Sequence, residues 1–410
     1  MEGIENLYVG IDLGDQHTMV SFAYQKNSEP ETVSPMAGSE IFQIPTAVAF
    51  RTGDHTFVYG EEARRIAKAG LGNCEGALLT RALNGEQIVF DSKDYSAVTL
   101  LAMFLKKMIQ MAGRLGPKAH LSHLVICVEA LDARMVQLLQ DVTEAMELET
   151  GSVHFMDYKE SFYFYGIHQP PELSSHAIAL FQYSGQQMKY WCLLQELPSK
   201  PPVYTVREKQ FSFEGSSRDE LFARLIPQCF EKQIITTVYL VGENFDGDWM
   251  KQSLRLICQG RRAFLGKNLF SKGACFAAMD MDGGRPGGSV YMGDHEMKYN
   301  VSLKVYERGN ISFYTLVNAG EPWFEAGGSC ELIIDGKPTV DFWIQLPHSR
   351  EAKIESLELR DLPKRENRTT RILVEAKPGS DQIVNIRITD LGFGELAPGT
   401  MQQWQYTIRG

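Results

Sequence analysis

The stretch Leu7-Tyr-Val-Gly-Ile-Asp-Leu-Gly-Asp-Gln-His-Thr-Met-Val-Ser-Phe22 sets an acidic residue and a glycine where two apolar runs meet. The runs on either side of Asp12-Leu13-Gly14 predict two strands joined by a tight turn. A turn of this kind can hold phosphate on its backbone N–H groups, and a carboxylate beside it can hold Mg²⁺ through water. Asp12 is therefore a candidate metal organiser and Gly14 a candidate phosphate contact. Without a nucleotide, Asp12 is simply a turn residue. The motif is short, so its meaning depends on whether the rest of a nucleotide site follows it.

Other reactive residues show less pattern. Seven cysteines are scattered with no C-x-x-C pair, which suggests buried, reduced thiols and a cytoplasmic location. His17 and the other histidines lack metal-ligand spacing.

The elements that must position these residues change character along the chain. Residues 1–280 alternate strands with helices, and residues 297–410 read as nearly all strand. Between them, at 281–296, lies a linker that opens in the Gly/Pro-rich run Asp280-Met-Asp-Gly-Gly-Arg-Pro-Gly-Gly288. A helix is expected over Asp94–Leu115, capped by Asp94 or Ser96, with Val98, Leu101, Leu105, Met108 and Ile109 recurring at helical spacing. Leu124–Val128 has the composition of a buried strand, and Asp132 caps a helix burying Val136, Leu139, Val142 and Met146. Ser217-Arg-Asp-Glu220 forms a capping box, and Pro227 should kink or end the helix that follows. Thr237–Gly242 is a strand ending in a turn. Eight strands are expected after the linker: Val301–Val305, Ile311–Val317, Cys330–Ile334, Asp341–Leu346, Ser356–Leu362, Arg371–Ala376, Ile383–Thr389 and Gln403–Ile408. So many short strands indicate a sandwich or partial barrel.

Composition narrows the partners. With 410 residues, 44% apolar and 22% charged, the chain has room for two or three full cores. A formal charge of −10 argues against nucleic acid. No apolar run approaches the roughly 18 residues that span a bilayer, and no secretory signal is visible.

Taken in order, these segments resemble heat-shock chaperones of the DnaK type, within the actin-like ATPase superfamily. The opening loop is similar to the first phosphate loop. Ile44-Pro-Thr-Ala-Val-Ala-Phe50 and Val58-Tyr-Gly-Glu-Glu-Ala-Arg-Arg65 resemble the "IPSVVAF … GxxAKR" segment, placing Arg64 where the family's lysine faces the γ-phosphate. Val125-Ile-Cys-Val-Glu-Ala with Asp132-Ala-Arg134 resembles the first connecting segment, and Lys272-Gly-Ala-Cys-Phe-Ala-Ala278 the second. Phe181-Gln-Tyr-Ser-Gly-Gln-Gln187 falls at the second phosphate loop, which makes Gln182 and Gly185 candidate contacts. Val238-Tyr-Leu-Val-Gly-Glu243 matches the adenosine loop, adding Gly242 and Glu243. Asp157 and Glu160 lie near the position that acts on water. Phe313-Tyr-Thr-Leu-Val-Asn through Gly327 and Leu357-Glu-Leu-Arg-Asp-Leu-Pro363 look like the chaperones' substrate-binding β-sandwich.

The resemblance implies an actin-like (ribonuclease H-like) α/β ATPase domain followed by an all-β sandwich, with ATP and Mg²⁺ as cofactors. The departures fall on the chemistry. Gln182 stands where an aspartate would help organise Mg²⁺, and Tyr183-Ser184 and Gln186-Gln187 replace most of the glycines. Asp15 puts a carboxylate where hydroxyl residues usually face the phosphates, and Glu243-Asn-Phe-Asp246 replaces the residues that sandwich adenine. About 55 residues separate Gln182 from Val238, so the second lobe should be reduced. The last expected strand ends close to Gly410, leaving no room for the family's helical lid. The expectation is a cytoplasmic pseudo-ATPase that binds protein or peptide with little or no hydrolysis, its nucleotide binding weak or lost. The alternatives are an active ATPase with a remodelled site and an actin-like assembly protein.

Overall fold

The computed structural model describes residues 5–24, 29–36, 38–113, 119–148, 152–196, 200–215 and 217–410. The chain is a mixed α/β protein with many sheets, divided into two compact units. The first comprises Met1–Leu194 and Val206–Pro286, and the second Gln195–Thr205 and Gly287–Gly410.

The first unit contains two large sheets of one plan and two smaller ones within the insertion after β3. In one sheet, β1 (Glu5–Leu13), β2 (His17–Ala23) and β3 (Glu31–Thr32) form an antiparallel meander, and β4 (Ala119–Val128) and β5 (Val153–Asp157) add to β1 in parallel. The order is β5-β4-β1-β2-β3. An insertion after β3 carries α1 (Glu61–Lys68) and α2 (Leu78–Leu83). It is followed by α3 (Ala97–Gly113), and α4 (Ala133–Ala145) and α5 (Tyr158–Ile167) come after β4 and β5. The other sheet has the order β10-β9-β6-β7-β8. Its strands are β6 (Ala177–Ser184), β7 (Gln187–Gln195), β8 (Val203–Ser212), β9 (Ile235–Val241) and β10 (Arg262–Leu265). Here α6 (Arg218–Phe230) and α7 (Gln252–Ile257) make the crossovers, and α8 (Leu269–Gly283) follows the last strand as α5 does in the first sheet.

These elements form where apolar periodicity and caps agree. Asp132 Oδ1 accepts the Met135 N–H at 2.8 Å, and Val136, Leu139, Val142 and Met146 are buried as the 3.6 period requires. α5 and α8 pack against each other at Gly273, where a Cβ would collide with the Ser161 backbone.

Several local expectations change. Asp94 lies in the short strand Lys93–Ser96 rather than at a helix start, and Ser96 Oγ accepts the Val98 N–H at 3.2 Å ahead of α3. Leu115 lies outside the described residues. Ser217 makes no capping bond; the nearby Asp219 carboxylate instead accepts the Lys251, Gln252 and Ser253 N–H groups at the start of α7. α6 continues through Pro227 to Phe230, because buried Ile226, Cys229 and Phe230 hold its last turn in the core. The run read as linker from Asp280 is helical as far as Gly283, and the chain turns only at Gly284–Gly288.

The second unit is built of antiparallel strands. They are β11 (Asn300–Glu307), β12 (Asn310–Val317), β13 (Gly328–Ile333), β14 (Thr339–Gln345), β15 (Ala352–Glu358), β16 (Arg371–Ser380), β17 (Ile383–Phe393) and β18 (Gln403–Arg409). One sheet runs β12-β11-β14-β15, and the other contains β13-β16-β17-β18. Inward residues of both, including Leu303, Phe342, Val374, Ile386 and Ile408, share one core. All eight expected strand segments are present, but the fifth runs Ala352–Glu358 rather than Ser356–Leu362, because Ala352 and Lys353 pair with Gln345 and Ile344 and the chain leaves the sheet after Glu358. No helix among the described residues is long and apolar enough to cross a membrane.

Candidate functional site

Asp12 and Gln182 occupy the same place in the two large sheets of the first unit. Asp12 on β1 faces Met19 on β2 and Cys127 on β4. Gln182 on β6 faces Lys189 on β7 and Val241 on β9. Each sits just before a hairpin turn, and both line one cavity of about 270 Å³.

The Asp12 carboxyl is buried, 3% exposed, and its Oδ1 accepts the Tyr158 hydroxyl at 2.6 Å. Burial pushes this carboxyl up to about 7, the Tyr158 hydrogen bond acting in the opposite direction. The Tyr158 ring lies flat on Phe270, centroids 3.9 Å apart with 8° between planes, and both rings line the cavity. α5 supplies the tyrosine and α8 the phenylalanine, so the two equivalent helices place an aromatic stack beside Asp12.

Loops complete the walls. Gln43 Nε2 donates to Glu243 Oε1 at 3.0 Å, and His17 Nδ1 lies 4.0 Å from the same oxygen. Gly242 has φ +116°, and a Cβ there would collide with the Tyr183 carbonyl oxygen, so only glycine brings the two loops this close. Asp12, Glu40, Glu243 and Asp246 face the cavity, and Lys267 is the one cation among its lining residues. The Gln182 Oε1 atom is buried without a hydrogen-bond partner.

Other residues singled out in the sequence lie away from this cavity. Gly14 donates its N–H to His17 O at 3.1 Å, closing the turn on itself. Asp15 accepts the Thr80 N–H at 3.0 Å and the Thr80 hydroxyl at 3.1 Å, anchoring the start of α2. Arg64 is on α1 and does not line the cavity. Gly185 has φ +56° at the second hairpin turn, where Asn244 Nδ2 donates to its carbonyl at 3.3 Å. Asp157 Oδ1 accepts the Glu160 N–H at 2.8 Å and caps α5; neither Asp157 nor Glu160 reaches the cavity.

These residues fit Mg·ATP poorly. Four carboxylates oppose one lysine where several phosphate charges would have to lie. The hollow falls below the ~300–1,000 Å³ usual for ligand sites. Its Asp12 end is taken by Tyr158, and Gln182 offers no second carboxylate. Among the described residues no group of three or more His, Cys, Asp or Glu could hold a metal ion.

Residues 29–294 match the C-terminal model of a family of unknown function, DUF5716. The chain belongs to that family. Residues 296–409 match a domain of unknown function, DUF8552. No curated protein matches the sequence.

Among the residues of this DUF5716 member that shape the cavity and were missed from sequence are Tyr158, Phe270, Glu40, Gln43 and Lys267. Tyr158 carried a signal: it follows Asp157, which stands three residues before Glu160 in a helix-start pattern, so its side chain had to leave the first turn of α5. Phe270 and Lys267 had none, since their role depends on how α8 is carried towards α5.

Proposed function

We propose that this chain is a DnaK-like protein whose α/β unit is an actin-type ATPase fold that has ceased to hydrolyse ATP, and that it acts by binding protein or peptide segments. The observation that carries the proposal is the duplicated sheet plan, with the Asp12 and Gln182 hairpins at equivalent positions facing one cavity. A ribonuclease H-like pair of sheets would be expected to present two phosphate loops in this way. The chemistry at the loops supports loss of catalysis. Phosphoryl transfer requires electrostatic stabilisation of developing charge and a positioned water. Here Asp12 is hydrogen-bonded to Tyr158, Asp157 is used as a helix cap, and Gln43 and Glu243 tie loops of the two halves together. The antiparallel second unit supports a sandwich of the substrate-binding type, the part of such a protein that would take an extended client.

Calorimetric titration of ATP with and without Mg²⁺, together with steady-state turnover, tests the nucleotide half. The expected result is no saturable heat below millimolar ATP and no turnover above background. Turnover that disappears in Asp12→Ala would overturn it. Screening the whole chain against immobilised peptides tests the other half, and binding to none of them, extended apolar sequences included, would count against it.

A further inference from the structure

A second cavity, of about 820 Å³, lies where α5 and α8 end. His168 and Gln169 line it from the end of α5, and Phe276, Met279, Asp280 and Asp282 from α8. Its size is within the ~300–1,000 Å³ usual for ligand sites. Glu29 completes an acidic lining, and no lysine or arginine is among the described residues that line it.

The charges here oppose the helices. A helix C-terminus carries partial negative charge and is ordinarily matched by Lys, Arg or His. Neither α5 nor α8 has a basic residue in its last turn, and α8 places Asp280 and Asp282 there instead. Two of the three carboxylates are compensated. Lys272 Nζ lies 2.7 Å from Glu29, while Asp282 accepts the Tyr8 hydroxyl at 2.8 Å and has His123 Nε2 at 3.2 Å. Asp280 is only half satisfied. His168 Nδ1 donates to the Phe164 carbonyl oxygen at 2.8 Å, so its Nε2 is the nitrogen that faces Asp280 Oδ1, at 3.1 Å. The Phe276 ring stacks on His168 with centroids 4.3 Å apart and holds the imidazole in place. Asp280 Oδ2 is buried with no hydrogen-bond partner, on a side chain only 9% exposed. A buried carboxylate oxygen without a donor is costly, and the negative helix end beside it adds to the cost.

We propose that this cavity binds a linear aliphatic polyamine, one ammonium group of which donates to Asp280 Oδ2. A cation with N–H donors removes both penalties, since it satisfies the orphan oxygen and complements two helix ends. A metal ion does not fit, because no group of three or more His, Cys, Asp or Glu among the described residues could hold one. A guanidinium is best matched by both oxygens of a carboxylate, and His168 already takes one. An ammonium is a point charge and needs only the other. Pro170, Leu173, Met279 and Pro286 provide an apolar lining for a methylene stem. Glu29 and Asp282 supply negative charge for further ammonium groups. The site uses no residue of the Asp12 cavity, so it stands apart from the nucleotide and client readings.

Calorimetric titration of the whole chain with spermidine tests the proposal, with Mg²⁺ at matched ionic strength as the competitor. The expected result is one saturable site that Mg²⁺ does not displace, and a thermal midpoint raised by spermidine. Asp280→Asn keeps an acceptor for His168 and removes the charge, so it should weaken binding by about tenfold or more. Glu29→Gln, at an exposed position, should weaken it about threefold, and carries the test if Asp280→Asn does not fold. Glu307→Gln, at an exposed acid of the second unit, should leave binding unchanged. Absence of spermidine heat up to several millimolar would overturn the proposal, as would displacement by Mg²⁺. Equal losses in all three variants would overturn it as well, by showing general charge attraction only. So would binding of a lysine-rich peptide without binding of spermidine, which would make the cavity a site for a protein side chain.

Discussion

The Tyr158 hydroxyl donates to Asp12 at 2.6 Å while the ring of the same tyrosine stacks 3.9 Å from Phe270. One side chain therefore joins the carboxylate of the first hairpin to the helix that follows the second sheet. A buried carboxylate is costly unless it is hydrogen-bonded or protonated, and here both remedies operate.

The first prediction follows from the Asp12 carboxyl, held at about 7 in the folded protein by burial. In the unfolded chain it returns to about 3.9. Between these values the folded state binds the proton more tightly, so the Asp12 contribution to stability is fully present below pH 4. It is lost as pH rises towards 7 and is level above that. The loss is at most about 4 kcal/mol, taking about 1.4 kcal/mol per tenfold change in proton affinity. Asp12→Asn should flatten this slope and raise stability at pH 8, with little change at pH 4. Urea unfolding of both proteins across pH 4–8 checks it; parallel pH profiles would contradict the assignment.

Tyr158→Phe removes the one hydroxyl shown donating to Asp12 while leaving the ring on Phe270. It should cost roughly 1–3 kcal/mol at pH 8, where an ionised Asp12 loses its donor, and less at pH 5, where the carboxyl is protonated. In the Asp12→Asn background the penalty should shrink, because the uncharged amide needs the donor less. A double-mutant cycle measures that coupling, and strictly additive losses would mean that the bond contributes nothing.

Much of this architecture was legible in the chain. The eight strands of the second unit follow period-two patterns with turn residues between them, and the Asp132 cap and its buried stripe are local signals. What could not be read is what depends on distant partners. Asp15 looked like a charge facing phosphate, yet its partner is Thr80, 65 residues away. Asp219 looked like part of a box for its own helix, but its carboxylate caps the next one. The Asp280 run looked like a linker because its glycines and aspartates are poor helix formers. There the Tyr8 hydroxyl donates to Asp282 at 2.8 Å, and His168 lies 3.1 Å from Asp280, so tertiary contacts favour the helix over propensity.

Asp157 supplies a third prediction, since its carboxylate accepts the Glu160 N–H at the start of α5. Asp157→Ala should destabilise the protein by about 0.5–2 kcal/mol, the usual cost of a lost N-cap, and Asp157→Asn by much less. Neither change should alter ATP turnover, which is expected to be absent in the parent. Thermal denaturation of the two variants distinguishes a cap from a catalytic base. A fall in turnover with no change in stability would return Asp157 to the catalytic role.

Gln182→Asp tests whether a single residue separates this cavity from a working nucleotide site. The substitution places a carboxylate at the position equivalent to Asp12. If that residue alone had been lost, Mg²⁺-dependent ATP binding should reappear. The geometry favours the opposite outcome. The cavity already holds Asp12, Glu40, Glu243 and Asp246 against one lysine, so a fifth carboxylate adds repulsion that Lys267 alone does not offset. Tyr158 still occupies the Asp12 end, and the Gln43–Glu243 hydrogen bond still ties the loops together. The variant should be less stable than the parent at pH 8, should recover stability towards pH 5 as the added acid is protonated, and should show no Mg²⁺-dependent ATP heat in calorimetry. Binding restored by this one change would place the loss of nucleotide chemistry at residue 182 and make the aromatic stack and the loop bond compatible with a bound nucleotide.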